Sequence, residues 1–348
     1  MKEITFSDIL ITPQYSEVLS RTDVDLTANL GKFSVALPAV SANMHNITGP
    51  KMAAAMKFSG GFGILHRFNP VEVAIQDFKE TYELMSKDLL SPPAWPLYLD
   101  LDSIHPVGVS IGVQESDKER FDKLYEAGAR IFCIDIAHGH SLKMKQIMGW
   151  IKGHLSSYNI TLIAGNIATK EAALDLQEWG ADILKVGIGP GAVCMTRKNT
   201  GVGVPQLHAL KEVSSVAKVP IIADGGIKSV GDIAKALIFA DVVMIGSFIA
   251  GTSETPGKVY RNENGQFYKV YGGSASAENK SSGEKQAKFV EGIMKTVPFQ
   301  GHVKHILREI RDGLQSAFSY SGVATLEEYH SKVKWEEITN GSRVESKI

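Results

Sequence analysis

Short apolar runs recur along the chain, and most are followed by a longer stretch whose apolar residues fall at helical spacing. The runs Val35 to Ser41, Phe62 to Leu65, Val107 to Ile111, Arg130 to Ile134, Thr161 to Ala164, Ile183 to Val186, Val219 to Ala223 and Val242 to Ile245 read as buried strands. Each is brief, predominantly apolar and bounded by glycine, proline or polar residues. Helices are predicted over Pro50 to Phe58, Val71 to Met85, Lys118 to Ala127, Leu142 to His154, Thr169 to Trp179, from near Gln206, and over Val230 to Ile238. The first has Pro50 near its start and the Ser59-Gly60-Gly61 break at its end, where each residue type is favoured.

Strands alternating with helices in this way predict an α/β chain closed as a single (β/α)8 TIM barrel, one domain over residues 1–348. A doubly wound nucleotide-binding sheet competes. Its compact glycine fingerprint and ribose-binding acid do not follow the first strand cleanly. Polar residues stand instead at the carboxyl ends of the runs: Asn43, Asp135 to His140, Gly165-Asn166, Cys194, Asp224-Gly225-Gly226 and Gly246-Ser247. A barrel gathers such ends at one mouth, whereas separate small domains would scatter them.

Some segments break the alternation. Met1 to Phe33 is an irregular lead-in, and the stretch holding Pro92, Pro93 and Pro96 suits an outer surface or a subunit contact. Gly251 to Phe299, with its polar run GGSASAENKSSGEKQAK, reads as a long mobile flap within the domain, either a lid over the mouth or a plain surface loop. His302 to Phe318 predicts a final amphipathic helix, followed by a polar C-terminal extension suited to reach another subunit.

Composition adds exclusions. The 348 residues, 44% hydrophobic with a formal net charge of -1, can build a sizeable core. The 37 basic and 38 acidic residues are spread along the chain, so no nucleic-acid arm or membrane-binding block is expected. Cys133 and Cys194 lie in no CxxC pattern and form no disulfide framework, which favours a reducing compartment. The opening MKEITFSDILITP lacks a signal-peptide core and no apolar run reaches membrane-spanning length, so a cytoplasmic location is expected. The closing Ser346-Lys347-Ile348 differs from a peroxisomal address in its last residue.

Candidate chemistry gathers in ILKVGIGPGAVCMTRKNTGVGVPQ, Ile183 to Gln206. Gly187, Gly189 and Gly191 permit sharp turns or close approach to a ligand, and they bring Cys194 to a loop at a strand's carboxyl end. That position suits a nucleophile with Arg197 as a nearby cation; a buried, inert cysteine is the plain alternative. Thr196 can relay a proton only when polarised by a carboxylate, for which Glu291 in the Val-Glu-Gly stretch is the candidate. The Asp224-Gly225-Gly226 and Gly246-Ser247 turns offer backbone donors and a hydroxyl to a phosphate, and Asp224 an acceptor for ribose hydroxyls; ordinary structural turns are the alternative. His66, His138 and His140 lack an established zinc spacing, so no metal site is predicted among them. His138 is expected to organise its loop or contact a cofactor, His140 equally to make structural hydrogen bonds, and Asp135 to accept from a bound nucleotide.

The pieces Ala42-Asn43-Met44, Asp135 to Ser141, Ala164-Gly165-Asn166, KVGIGPGAVCMTR, TGVG, ADGGIKSVGDIAKAL and MIGSFIAGTSETPG follow in order across nearly the whole barrel. With them the chain resembles the purine-nucleotide barrel family of inosine monophosphate dehydrogenase and guanosine monophosphate reductase. The resemblance implies that Cys194 attacks purine C2 while Thr196 and Glu291 manage protons. It implies nucleotide contacts from Asn43, Asp224, Gly226, Gly246, Ser247, Tyr271, Gly273 and Ser274, and a cofactor side formed by Asp135, His138 and Asn166. Ala192 departs from the pattern, since many relatives carry a phosphate-contacting serine there. Backbone carbonyls at Gly187, Gly189 and Cys194 are implied as a site for potassium or a similar ion, not as an essential one.

The family runs two opposite reactions. Its dehydrogenases usually carry an Arg-Tyr pair in the flap that activates water, and this chain has no arginine between Tyr271 and Val290. Ser86 to His105 is also too short for tandem regulatory domains. The resemblance therefore implies NADPH-dependent reductive deamination of GMP to IMP with release of ammonia, in a homotetramer. The alternatives are an IMP dehydrogenase that makes XMP with NAD through an atypical flap, and a nucleotide-sensing barrel without turnover.

Overall fold

The computed structural model describes residues 3–88, 107–154, 159–272 and 293–346. The lead-in contributes β1 (Ile9–Thr12), β2 (Ala28–Asn29) and β3 (Ser34–Val35). The barrel wall is β4 (Ala39–Ser41), β5 (Phe62–Leu65), β6 (Val107–Ile111), β7 (Ile131–Asp135), β8 (Thr161–Ile167), β9 (Ile183–Val186), β10 (Ile221–Asp224) and β11 (Val242–Ile245). Each strand runs parallel to the next, and β11 closes onto β4. Their near-continuous apolar character follows from position, because a barrel strand is covered by side chains inside and by helices outside.

Helices alternate with the strands: α1 (Pro50–Phe58), α2 (Val71–Asp88), α3 (Ser116–Glu126), α4 (Leu142–His154) and α5 (Lys170–Glu178). A short α6 (Thr196–Thr200) lies inside the connection after β9, ahead of α7 (Gln206–Ser214) and α8 (Val230–Ala236). Thr169 and Ser229 cap α5 and α8, their hydroxyls accepting from the Ala172 and Asp232 amides. The last barrel helix is α9 (Val303–Tyr320), whose buried Val303, Ile306, Leu307, Ile310, Leu314 and Phe318 form one apolar stripe. Gly313 lets it approach α8, since a Cβ there would come within 2.6 Å of Val230.

The structure departs from the hydrophobic pattern in three places. The run Val35 to Ser41 is two elements, because Pro38 has no amide hydrogen for the wall; β3 pairs with β2 and only Ala39–Ser41 joins the barrel. α9 is not final. It is followed by α10 (Leu326–Lys332), β15 (Lys334–Glu337) and α11 (Asn340–Glu345), and β15 pairs antiparallel with β1. β15 reads KWEE and is mostly exposed, so apolar periodicity could not announce it. The described parts of the 251–299 excursion form a three-stranded antiparallel sheet, β12 (Tyr260–Arg261), β13 (Phe267–Gly272) and β14 (Met294–Pro298), with a turn at Gly265 between the first two. No described helix is long and apolar enough to cross a membrane.

Candidate active site

The mouth is built on a buried charge. Lys185 sits mid-strand in β9, 1% exposed, with its Nζ 2.8 Å from Asp135 Oδ1 and 2.9 Å from Asp224 Oδ2. It also donates to Asn166 Oδ1. One ammonium therefore pins the ends of β7, β8, β9 and β10. Burial opposes ionisation of Asp135, but the charges of Lys185 and then Arg67 outweigh it and hold the carboxyl below its ordinary value. Burial likewise opposes the charge on Lys185, and Asp135 and Asp224 more than compensate, raising its pKa.

The same residues fix the backbone. Asn166 Nδ2 donates to the Gly187 carbonyl and to Asp224 Oδ2, both at 2.7 Å. Gln206 Nε2, buried, donates to the Val186 carbonyl at 2.8 Å and the Asp224 carbonyl at 3.2 Å. Asp224 is thus held by side chain and main chain while its carboxylate still borders the cavity. Neither Lys185 nor Gln206 was expected from the pattern. A lysine inside an otherwise apolar four-residue strand is the signal that was available, because a charge buried there requires counter-charges.

Beyond β9 the chain turns at Gly187, φ 149°, where a Cβ would lie 1.9 Å from the Asp224 carbonyl oxygen. Gly187→Ala should accordingly cost about 3 kcal/mol or more, read as a lowered denaturant midpoint with an unchanged slope. Arg197 crosses this loop, its guanidinium donating to the Ile188 and Val204 carbonyls. It ties the two ends of the loop together and does not line the cavity. Cys194 Sγ is 3.1 Å from Thr196 Oγ1, at the first residue of α6. The second cysteine differs: Cys133 is fully buried in β7, and burial pushes its thiol up to about 12.

The cavity, about 430 Å3, lies within the range of roughly 300–1,000 Å3 usual for small-molecule sites. Cys194, Thr196, Asn43, Asp224, Tyr271, Asp135, Asn166, Gly187 and Gly189 all line it. So do Lys185, Arg67 and an apolar set including Met44, Ile136, Ile188 and Met244. Tyr271 reaches in from β13 and is buried; a Cβ on Gly246 would sit 3.3 Å from its hydroxyl. Burial, and then the charge of Asp224, raise the Tyr271 pKa, so the hydroxyl remains a donor. Gly226 lies at the edge against Pro190, and Ser247 follows Gly246 outside the lining.

Other expected positions fall elsewhere. His138 is exposed outside the lining, with its ring 6.5 Å from that of His140. His140 Nε2 bonds Asp175 at 2.8 Å. His66 is half-buried and its Nδ1 accepts from the Phe68 amide. Burial, then the charges of His45 and Arg120, lower its pKa to about 4, so it is neutral. No group of three or more His, Cys, Asp or Glu among the described residues could hold a metal ion. Glu291, Gly273 and Ser274 lie outside the described residues, as does the Pro-rich segment. The flanks of the flap are placed: the Ile293 amide donates to the Val193 carbonyl at 3.2 Å, and Asn46 Nδ2 donates to the Gly272 carbonyl at 3.2 Å.

Fold and site together define a (β/α)8 barrel with a cysteine-bearing loop facing a charged, small-molecule-sized mouth. Residues 3–348 match the family model described as IMP dehydrogenase / GMP reductase domain, and the chain belongs to that family. It is 38% identical to an inosine-5'-monophosphate dehydrogenase from Cryptosporidium parvum, across 100% of this chain and 95% of that protein. It is also 38% identical to the GMP reductase of Paracidovorax citrulli (strain AAC00-1), across 92% of each. The GMP reductase of Lactobacillus acidophilus stands at 38% as well, across 92% of this chain and 91% of that protein. Among solved structures, a cysteine-to-alanine variant of GMP reductase from Trypanosoma brucei in complex with guanosine 5'-monophosphate superposes with a TM-score of 0.89. That pair is 29% identical and covers 99% of this chain and 97% of the other.

Proposed function

We propose that this chain is a GMP reductase, converting GMP and NADPH to IMP, NADP and ammonia, with the mouth described above as its active site. The observation that carries the choice within the family is the flap composition: no arginine stands between Tyr271 and Val290 to activate water for a dehydrogenase. Several relatives with the reductase activity in their names, and a GMP-bound structural neighbour, support the same reading. The IMP dehydrogenase reading keeps one observation in its favour, the full-length match to the Cryptosporidium protein at the same identity.

The reaction consumes one proton besides its substrates in releasing ammonia, and a second when the product is counted as ammonium. Cys194 Sγ adds to purine C2 as a thiolate, and the 2-amino group leaves as ammonia once protonated, so a C–S bond forms as a C–N bond breaks. Hydride at C2 then expels the thiolate and leaves IMP. The hydroxyl 3.1 Å from the sulfur supports Thr196 as the proton relay, with Glu291 as the carboxylate proposed to polarise it. Ile293, two residues after Glu291 in the chain, is bonded to Val193 beside Cys194, which supports that pairing. Asp224, held by Asn166 and Gln206, accepts from the ribose hydroxyls, and the Gly226, Gly246 and Tyr271 edge, with Ser247, Gly273 and Ser274, receives the phosphate.

The cofactor side is tested by the apolar wall and fixed polar groups at the open mouth. Ile136, Met44 and Ile188 offer a dry face for a nicotinamide, while Asp135 and Asn166 are already oriented by Lys185. NADPH bound there would supply the hydride. His138 stands outside this lining and contributes only if the dinucleotide extends past it. Of the carbonyls expected to face potassium, that of Gly187 is engaged by Asn166, and the steps above use no cation. A homotetramer in the cytoplasm completes the reading.

The purified chain should oxidise NADPH only when GMP is present; oxidation without GMP, or none with it, would contradict the assignment. Glu291→Gln should slow GMP turnover by about a hundredfold or more while leaving GMP binding intact, measured by steady-state kinetics and calorimetry. Unchanged turnover would remove Glu291 from the proton path.

A further inference from the structure

The charges lining the mouth balance without a ligand. Arg67 and Lys185 are its two lining cations, and Asp135 and Asp224 its two lining carboxylates. Lys185 is committed to both carboxylates, and Arg67 Nε donates to the Asp135 carbonyl. A dianionic phosphate monoester entering this site would meet backbone amides at the Gly225 end but no uncommitted lining cation. Backbone amides bind anions, and a charge-assisted bond from a nearby cation is stronger than any one of theirs.

Lys295 is that cation. It lies in β14 directly opposite Tyr271 of β13, and side chains directly opposite in an antiparallel pair project from the same face of the sheet. Tyr271 on that face reaches Gly246. The Lys295 ammonium reaches the Ala192 carbonyl at 3.1 Å, and among the described residues it has no carboxylate partner. Ala192 follows Gly191, whose amide nitrogen is 3.2 Å from where a Cβ on Gly225 would be. Gly191, Gly225 and Tyr271 line one end of the mouth, Gly246 packs against the Tyr271 hydroxyl, and the exposed Lys295 stands just outside that end beside Ala192, which has no hydroxyl to offer.

We propose that Lys295 binds the phosphate of the nucleotide substrate, exchanging its contact with the Ala192 carbonyl for a charge-assisted bond to phosphate oxygen. This deepens the GMP reductase reading and rests on it for the identity of the nucleotide. It also joins the flap to the cysteine loop, since Ile293, immediately before the strand carrying Lys295, donates to the Val193 carbonyl.

The test is calorimetric binding of GMP and of guanosine to the wild-type chain and to Lys295→Met and Lys295→Arg. Lys295→Met should weaken GMP binding about tenfold and leave guanosine binding unchanged, with most of the GMP affinity restored in Lys295→Arg. Raised salt should weaken GMP binding to the wild type more than to Lys295→Met. Wild-type GMP affinity in Lys295→Met, or equal losses for GMP and guanosine, would overturn the assignment, as would a wild type that binds GMP no better than guanosine. A wild type that prefers GMP yet fails to reduce it removes the reductase reading alone, and the GMP-to-guanosine ratio of Lys295→Met still decides the phosphate contact.

Discussion

Cys194→Ala should abolish GMP reduction, lowering turnover by about ten-thousandfold or more, while the barrel remains folded and still binds nucleotide. The cause is chemical. The proposed path makes its first new bond at Sγ, and no other described group in the mouth can replace it, because Cys133 is sealed in β7 with its thiol pushed up to about 12. Alkylation separates the two thiols independently of turnover. Cys194, half-buried in the cavity wall, should react in the native protein and be shielded by GMP, and Cys133 should react only after unfolding. Native labelling of Cys133 ahead of Cys194, or appreciable turnover by Cys194→Ala, would refute this assignment.

Lys185→Met should be the most damaging change to stability in the mouth. Removing the ammonium leaves Asp135 and Asp224 without their shared counter-charge, with only the charge of Arg67 near Asp135 and the Asn166 amide on Asp224, and breaking a buried ion pair from one side costs about 3–5 kcal/mol. The pH dependence distinguishes this from a simple packing defect. In the wild type Asp135 has a lowered folded pKa, so its contribution is present above the unfolded value near ~4 and is lost as pH falls toward the folded one. Lys185 has a raised folded pKa, so its contribution is complete below about 10 and is lost only as pH rises through the folded value. In Lys185→Met the largest charge opposing the burial of Asp135 is gone, so its carboxyl is pushed upward relative to the wild type and acid relieves the variant. Thermal melts at pH 7 and pH 5 should show the gap between wild type and variant narrowing at the lower pH; a gap of constant size would mean that charge compensation is not what Lys185 provides.

Much of this architecture was legible in the chain because barrel strands are buried on both faces. Apolar runs located all eight wall strands, and Asn43, Asp135, Asn166, Cys194 and Asp224 after them line one mouth, while His138, His140 and Ser247 fall outside its lining. The pattern failed where burial is partial. β15 has one face on β1 and the other in solvent, and its Lys, Trp, Glu and Glu carry no alternation that distinguishes it from a tail. It also misjudged Val35 to Ser41, where apolar character continued through Pro38 although wall pairing could not.

The site was legible at its loops and hidden in its floor. Glycine spacing drew attention to Cys194 and Asp224, residues whose chemistry is visible from type and position. Lys185 and Gln206 lay inside segments that looked structural, and their importance comes from contacts with Asp135, Asn166 and Asp224 that are distant in the chain. Arg197 shows the converse. Its proximity to Cys194 suggested a cation for the thiolate, and folding turns its guanidinium to the carbonyls of Ile188 and Val204.

The central claim is the direction of the reaction at purine C2, and one paired incubation tests it. With GMP and NADPH the purified chain should form IMP, NADP and ammonia in equal amounts, and with IMP and NAD it should form no XMP. NADH and XMP from the second mixture, with no ammonia from the first, would contradict the account and make the chain a dehydrogenase.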